Sequence, residues 1–323
     1  MIGSWYCYST LAPLNKCGFS TRALSLLADG HAIPFEFNYT LEELNARYAA
    51  DSLHPLVALP GFQPKLGLSL YEGRLRFAEA KSKYILKWQP PEAGEFASDW
   101  AANEHLTMQI AAQVFKIVTA PNACLELLDG QHAYLTRRFD YQGRQRIHVE
   151  DFCQLSGRSP ATHGVNYKVK CSYEEAAAMF KRHCATYRME ALRFFKRVLF
   201  NLFVGNHHAH LKNLSVMRSF SGDIVLAPAY DLHCSALHFP DQPCLAMPLF
   251  KEEEAPAQFY QRDDLIAFGL RIGLEKYQIA EELRRLDLAT AKLEPLVRHS
   301  FLSPNAKKRY LQLLSQHKRA LLR

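Results

Sequence analysis

The chain of 323 residues lacks most of the features that mark specialised protein classes. No apolar run approaches the ~20 residues that a membrane-spanning helix needs, and Met1-Ile2-Gly3-Ser4 has no charged start of a secretory leader. The expected compartment is therefore cytoplasmic, with no membrane partner. There is no internal repeat and no low-complexity stretch. None of the eight cysteines (Cys7, Cys17, Cys124, Cys153, Cys171, Cys184, Cys234 and Cys244) forms a C-x-x-C pair. Zinc-ribbon spacing is thus absent, and a chain of this length needs no disulfide stapling. The cysteines read as reduced thiols, several in the core; a metal held by Cys7, Cys17 and a nearby His is the alternative. Long blocks of one charge are also missing. The net charge of +7 is scattered. The densest clusters, Lys307-Lys308-Arg309 and His317-Lys318-Arg319, read as solvated helix faces, with a polyanion contact as the alternative.

What is present is an ordinary globular composition, 48% hydrophobic and 22% charged, on a chain long enough for two subdomains or one bilobal domain. Thr21 to His31 predicts a short helix stopped by Gly30 and Pro34, and Thr40-Leu41-Glu42-Glu43 opens a second helix with a capping-box pattern. Residues 55–70 read as strand, turn and strand, with Pro60-Gly61 at the turn and alternation at Leu66, Leu68 and Leu70. Tyr71-Glu72-Gly73 is the next turn, and Tyr84 to Lys87 a short strand ending in a cation. Ser98 to Phe115 predicts a helix. Cys124 to Leu128 and Ala133 to Phe139 predict an antiparallel pair around Asp129-Gly130.

From Val149 the pattern turns helical. Glu150 to Leu155 reads as a short helix or turn, Ser172-Tyr173-Glu174-Glu175 opens a helix to Cys184, and Arg188 to Phe203 is the most apolar helix of the chain. From about Asp263 the chain reads as helices with turns at Gly273 and Pro304. A strand-rich first part with one long helix, then a helical part, resembles the two lobes of a kinase.

The densest chemistry lies in Gly205-Asn206-His207-His208-Ala209-His210-Leu211-Lys212-Asn213, which follows a buried apolar run. A second apolar run, Ile224 to Ala227, leads to Pro228-Ala229-Tyr230-Asp231. A polar loop rich in His, Lys and Asn, followed by a strand leading to Asp, is a common way to build a phosphoryl-transfer site. The loop carries the base, an amide binds metal and the carboxylate completes the metal site. His207-His208-Ala209-His210, with alternate His residues on a loop, also admits a transition-metal site, but no Cys or carboxylate stands at ligand spacing.

Two stretches carry a resemblance. Gly61-Phe62-Gln63-Pro64-Lys65-Leu66 resembles the "S-x-S-G-x-Q-P-K-L" loop of HipA-family kinases, the toxins of bacterial type II toxin–antitoxin systems, and Asn206 to Asn213 resembles that family's "N-x-D-x-H-x-K-N" catalytic loop. Ile85-Leu86-Lys87, Asn103-Glu104-His105, Arg138-Phe139-Asp140, His148-Val149-Glu150-Asp151 with Gln154, and Ala227 to Asp231 follow in family order. The resemblance covers residues 55 to about 275. It implies an α+β, bilobal protein-kinase-like fold: a segment over 1–54, a small β-rich lobe over 55–145 and a larger helical lobe over 146–323. Only about 55 residues precede the Gln-Pro-Lys loop, as in the shorter, HipT-like branch. That branch implies HipS-like and HipB-like antitoxin partners, DNA contact only through a HipB-like partner, and an aminoacyl-tRNA synthetase as the protein substrate.

The resemblance also implies roles. ATP would be held by Gly61, Phe62, Gln63 and Lys65 of the phosphate loop, by Lys87 at the α/β-phosphates with Glu104 positioning it, and by the hinge Arg137 to Phe139, whose backbone would receive adenine. His210, Asn213 and Asp231 complete the nucleotide set. Asn213 and Asp231 would ligate Mg²⁺ as hard oxygen donors, Lys212 would contact phosphate, and His210 would brace the loop.

Two positions depart from the family pattern. His208 stands where the family has the catalytic Asp that accepts the substrate hydroxyl proton; an imidazole can accept a proton but brings no negative charge when neutral, which implies a severely impaired enzyme. The two regulatory serines of the family align with Ala58 and Pro60, which accept no phosphate. The sequence therefore reads as a Ser/Thr protein kinase crippled at its base. The alternatives are a nucleotide-binding pseudokinase acting through a partner and a small-molecule kinase of similar lobes.

Overall fold

The structure, a computed structural model, describes residues 5–52, 63–78, 81–143 and 145–323. The chain divides into two compact units. The first comprises Met1–Gln109, Ala120–Phe139 and Pro295–Lys307; the second comprises Ile110–Thr119, Asp140–Glu294 and Lys308–Arg323.

The first unit opens with a two-stranded ribbon, β1 (Trp5–Tyr6) and β2 (Pro13–Leu14), and helix α1 (Thr21–Ala28). Ser20 caps α1 by accepting the Ala23 N–H, and Asp29 ends it in the left-handed conformation at φ 51°. Strand β3 (Glu36–Phe37) and helix α2 (Leu41–Ser52) follow. The expected capping box of α2 is present: Thr40 Oγ1 accepts the Glu43 N–H at 3.2 Å, and Glu43 accepts the Thr40 N–H at 2.8 Å. Then come β4 (Lys65–Tyr71), β5 (Arg74–Phe77), β6 (Tyr84–Lys87), the helix α3 (Trp100–Gln113), β7 (Asn122–Leu127) and β8 (His132–Arg137). The six strands order as β3-β7-β8-β6-β4-β5, antiparallel except for the β3–β7 pair.

Hydrophobic burial holds this unit together. Leu66, Leu68, Leu86, Trp88, Leu125 and Leu135 are fully buried with Leu27, Phe37 and Leu44 from the preceding segment. Each such side chain contributes about 1.5–3 kcal/mol relative to exposure. Gly67 on β4 cannot be larger, because a Cβ there would lie 2.8 Å from Ser82 Cβ and 3.1 Å from the Ala78 carbonyl. The strand–turn–strand expected over residues 55–70 is described only in its second strand; the Pro60-Gly61 turn, together with Gly61, Phe62 and Ala58, lies outside the described residues.

The second unit contains a short ribbon, β9 (Tyr141–Gln142) with β10 (Gln145–Arg146), then β11 (Val149–Asp151), α4 (Phe152–Leu155), α5 (Pro160–His163), α6 (Tyr173–His183) and α7 (Tyr187–Val204). Strands β12 (Ser215–Arg218) and β13 (Ile224–Leu226) pair antiparallel with β11 in the order β11-β12-β13. Helices α8 (Arg262–Arg271), α9 (Lys276–Ala289), α10 (Leu293–His299) and α11 (Pro304–Leu321) end the chain. Helix α7 is the core element: Phe194, Phe195, Val198, Leu199, Phe200, Leu202 and Phe203 are all buried, and Phe195 stacks on Phe268 of α8 at 6.1 Å.

The expected helix or turn over Glu150 to Leu155 is half right. Val149–Asp151 is a strand because its backbone pairs with Ser215, Val216 and Met217, a long-range ladder that local propensity cannot reveal. Helix α4 starts only after it, with Asp151 and Gln154 forming a capping box. Among the described residues no helix is long and apolar enough to cross a membrane.

Candidate functional site

In the first unit, β6 carries Lys87 at its end and α3 carries Glu104. Lys87 Nζ lies 2.6 Å from Glu104 Oε1, with side-chain exposures of 8% and 1%. The same ammonium lies 5.5 Å from the centre of the Tyr134 ring. An ammonium and a carboxylate taken from water together persist only in good hydrogen-bonding geometry, which the strand end and helix jointly provide. Lys65 stands directly opposite Lys87 in the β4–β6 register, so the two side chains share one face of the sheet. Gln63 is buried and donates from Nε2 to the Trp88 carbonyl at 2.9 Å, tying the start of β4 to the residue after Lys87.

Arg137 is committed elsewhere. Its guanidinium forks onto both carboxylate oxygens of Asp29, at 2.8 and 2.7 Å, and this hydrogen bonding holds the Asp29 carboxyl below its usual range. The Arg137 N–H donates to the Pro121 carbonyl and the Arg138 N–H to the Lys83 carbonyl. Nucleotide recognition at the Arg137–Phe139 hinge would therefore fall to other backbone groups. Phe139 is half-buried.

In the second unit, α7 stops at Gly205, whose φ of 67° is left-handed. A Cβ there would lie 2.6 Å from His317 Cε1 and 2.8 Å from Ala236 Cβ, so glycine is required twice over. His317 of α11 also hydrogen-bonds the Phe203 carbonyl through Nδ1 at 3.0 Å. The loop beyond is fixed by a dense set of bonds. Buried Asn206 donates to Asn201 Oδ1 at 3.1 Å and accepts the His208 N–H at 3.1 Å. Ser235 Oγ accepts the His207 N–H at 2.7 Å and donates to the Gly205 carbonyl at 3.1 Å. The Tyr173 hydroxyl donates to the Ala209 carbonyl, and the Leu211 N–H to that of Lys168.

Asn213 uses its amide Nδ2 on the His208 carbonyl at 2.7 Å, which leaves its carbonyl oxygen as the hard donor a Mg²⁺ ion would take. Asp231 has a left-handed backbone at φ 58°, a conformation that Asp tolerates better than most residues. The approach to Asp231 is clamped by α7: Glu190 accepts the Leu226 N–H and Arg197 donates to the Ala227 carbonyl, each at 2.8 Å. Burial lowers the Arg197 guanidinium to about 10. Lys212 is exposed; its Nζ lies 3.9 Å from Asp151 and its carbonyl accepts from Tyr230.

His208 lies among these groups. Burial lowers its imidazole pKa, and the Asp231 carboxylate opposes that shift. His207 and His210 are pushed to about 4, mainly by burial. Nδ1 of His210 is buried without a hydrogen-bond partner. The bracing comes from the backbone, with the His210 N–H on the His208 carbonyl and the Asn213 N–H on the His210 carbonyl. No three His, Cys, Asp or Glu side chains among the described residues are grouped to hold a metal, which removes the His207–His208–His210 transition-metal reading.

Sequence reasoning missed Ser235, Tyr173, Tyr230 and the Glu190–Arg197 clamp. Their partners lie far along the chain, at separations such as 36 residues for Tyr173 and Ala209, and no local pattern signals them.

The arrangement can be compared with known proteins. Residues 57–293 match the HipA-like C-terminal domain family. A Haemophilus influenzae protein named "Putative kinase" is 28% identical over 305 residues, covering 86% of each chain. The serine/threonine-protein kinase toxin HipA of Shewanella oneidensis is 29% identical over 255 residues, covering 72% of this chain but only 55% of that longer one. A solved complex of Shewanella oneidensis HipA with HipB and operator DNA superposes with a TM-score of 0.67 at 21% identity, over 97% of this chain and 76% of that one. The α+β, kinase-like fold expected from the sequence is thus the one observed. With a strand-end lysine paired to a helix glutamate and a family match over more than half its length, the chain belongs to the HipA-like C-terminal domain family.

Proposed function

We propose that the chain is a serine/threonine protein kinase of HipA type that uses ATP and Mg²⁺, with a weakened base at position 208. The observation that carries this reading is the buried 2.6 Å Lys87–Glu104 pair. A lysine held rigid by a carboxylate at the end of a β-strand is the means by which protein kinases fix the α/β-phosphates. Lys87 and Lys65 supply positive charge to phosphate, and Gln63 holds the start of β4 against the residue after Lys87. The Asn213 oxygen and the Asp231 carboxylate are the hard donors that would hold Mg²⁺; when bound, the ion would neutralise charge on the phosphates. Lys212 contacts phosphate from the loop.

Position 208 receives the substrate hydroxyl proton. Its imidazole is neutral near pH 7, because burial lowers its pKa. It can accept a proton, but it adds no negative charge beside the acceptor and is a weaker base than an ordinary imidazole. The same observation favours a second reading, in which the chain binds nucleotide and acts through a partner without transferring phosphate. Calorimetric titration with ATP, with and without Mg²⁺, tests the shared part: absence of binding ends both readings. Phosphotransfer from labelled ATP by the chain and by His208→Asp then separates them. Gain of activity in the variant supports a kinase weakened at its base; equal activity in both removes the role given to His208.

The remaining features of this reading concern partners. HipS-like and HipB-like antitoxin proteins are the binding partners, DNA is reached only through the HipB-like one, and the phosphate acceptor is an aminoacyl-tRNA synthetase in the cytoplasm. Support comes from the complex of the Shewanella HipA with HipB and operator DNA. Pull-down of candidate antitoxins with the purified chain tests it.

A further inference from the structure

The second unit carries a cleft that none of these roles uses. Its volume is about 580 Å³, and its walls include Leu155 of α4, Arg158 just beyond it, His163 of α5, and Glu175, Met179 and Arg182 of α6. The charge in the cleft is unbalanced. Glu175 turns its carboxylate onto the start of α6, accepting the Ser172 N–H at 2.8 Å and the Ser172 hydroxyl at 3.0 Å. Arg158 gives one N–H to the Lys170 carbonyl and keeps the rest of a five-donor fork. Among the described residues neither Arg158 nor Arg182 meets a carboxylate. A favourable place on the last turn of α6 accounts for Arg182. It does not account for Arg158, which enters the same cleft from a loop.

The cleft is joined to the candidate loop at two points. Helix α4 is about 6 Å long. One end holds Asp151, 3.9 Å from Lys212, and the other holds Leu155 in the cleft wall. The segment that runs on from Arg158 reaches Lys168, whose carbonyl accepts the Leu211 N–H of the loop.

We infer that this cleft docks an acidic segment of the protein substrate, with carboxylates on Arg158 and Arg182 and an apolar neighbour against Leu155 and Met179. Forked guanidinium–carboxylate pairs give geometric selection, so the chain selects acceptor hydroxyls whose flanking sequence carries Asp or Glu. The identity of the occupant rests on the kinase reading, whereas the docking requires no phosphotransfer.

Fluorescence anisotropy of a labelled hexaglutamate peptide on the full chain tests the inference, with hexaserine as control. Arg158→Ala/Arg182→Ala should weaken hexaglutamate binding about tenfold, while Arg319→Ala/Arg323→Ala, at exposed basic positions near the C-terminus, should leave it unchanged. Arg182→Glu, at an exposed helix position, is expected to weaken binding by itself and keeps the test open if loss of Arg158 unfolds the chain. No binding by the unaltered chain, equal binding by Arg182→Glu, or equal weakening in both double variants overturns the inference. The last outcome marks general polyanion attraction. ATP titration of the same proteins separates the two readings: failed peptide docking with intact ATP binding removes only the docking site.

Discussion

Lys87 and Glu104 form an ion pair of 2.6 Å inside the first unit, with both side chains almost wholly removed from solvent. Such a pair contributes little net stability while intact and costs much when one partner is deleted, because the surviving buried charge loses its opposite charge. Lys87→Met should destabilise the chain by about 3–5 kcal/mol in urea unfolding. Lys87→Met/Glu104→Leu should recover most of that loss but none of the lost ATP affinity. If ATP affinity returns with stability, Lys87 is structural.

At position 208 the expected change is catalytic. His208→Asp should raise phosphotransfer by roughly 10²–10⁴, the usual range for a positioned general base, with ATP affinity nearly unchanged. The Asp side chain also replaces a half-buried neutral ring, so thermal unfolding of the variant is the accompanying control.

Asp231 tests the metal assignment. Asn shares the tolerance of Asp for left-handed backbone, and the φ of 58° at this position makes Asp231→Asn the conservative exchange. The variant should fold with a stability close to the parent, yet lose the Mg²⁺-dependent increment of ATP affinity in titration. An unchanged Mg²⁺ increment removes Asp231 as a ligand.

Gly205 ends α7 where His317 and Ala236 leave no room for a Cβ. Gly205→Ala should cost at least about 1–3 kcal/mol from the left-handed backbone alone, with further cost from the displaced His317. Urea unfolding reads the loss. Because the candidate loop starts at this residue, a local increase in amide exchange at Asn206 to His208 should accompany it.

Stability should fall as pH falls through the histidine range. His105 and His207 have folded pKa values of about 4, both lowered by burial, against an unfolded value of ~6.5. Between these limits the unfolded chain binds more protons than the folded one, so stability rises with pH across that window and is fully present above ~6.5. Each group contributes on the order of 3 kcal/mol over the whole window. His105→Gln should flatten the slope of unfolding free energy against pH by up to one proton.

Much of this protein is legible locally. The capping boxes at Thr40 and Ser172 mark helix starts because their hydrogen bonds span only three residues. The apolar face of α7 and the alternation of β4 follow from helix and strand periodicity. The resemblance to the family from Gln63-Pro64-Lys65 to Asp231 is also carried by the sequence.

The tertiary structure decided what depends on distant partners. Val149–Asp151 becomes a strand because β12 lies ready to pair with it. Arg137 is drawn to Asp29, 108 residues earlier. Ser235, Glu190 and Arg197 enter the account only through folding, since a hydrogen bond across 28 to 36 residues leaves no periodic trace in the chain. Local hydrogen bonding and hydrophobic periodicity are written in neighbouring residues, whereas burial, and with it the lowered pKa values of His105, His207 and His210 and the buried Lys87–Glu104 pair, exists only once the chain has closed on itself.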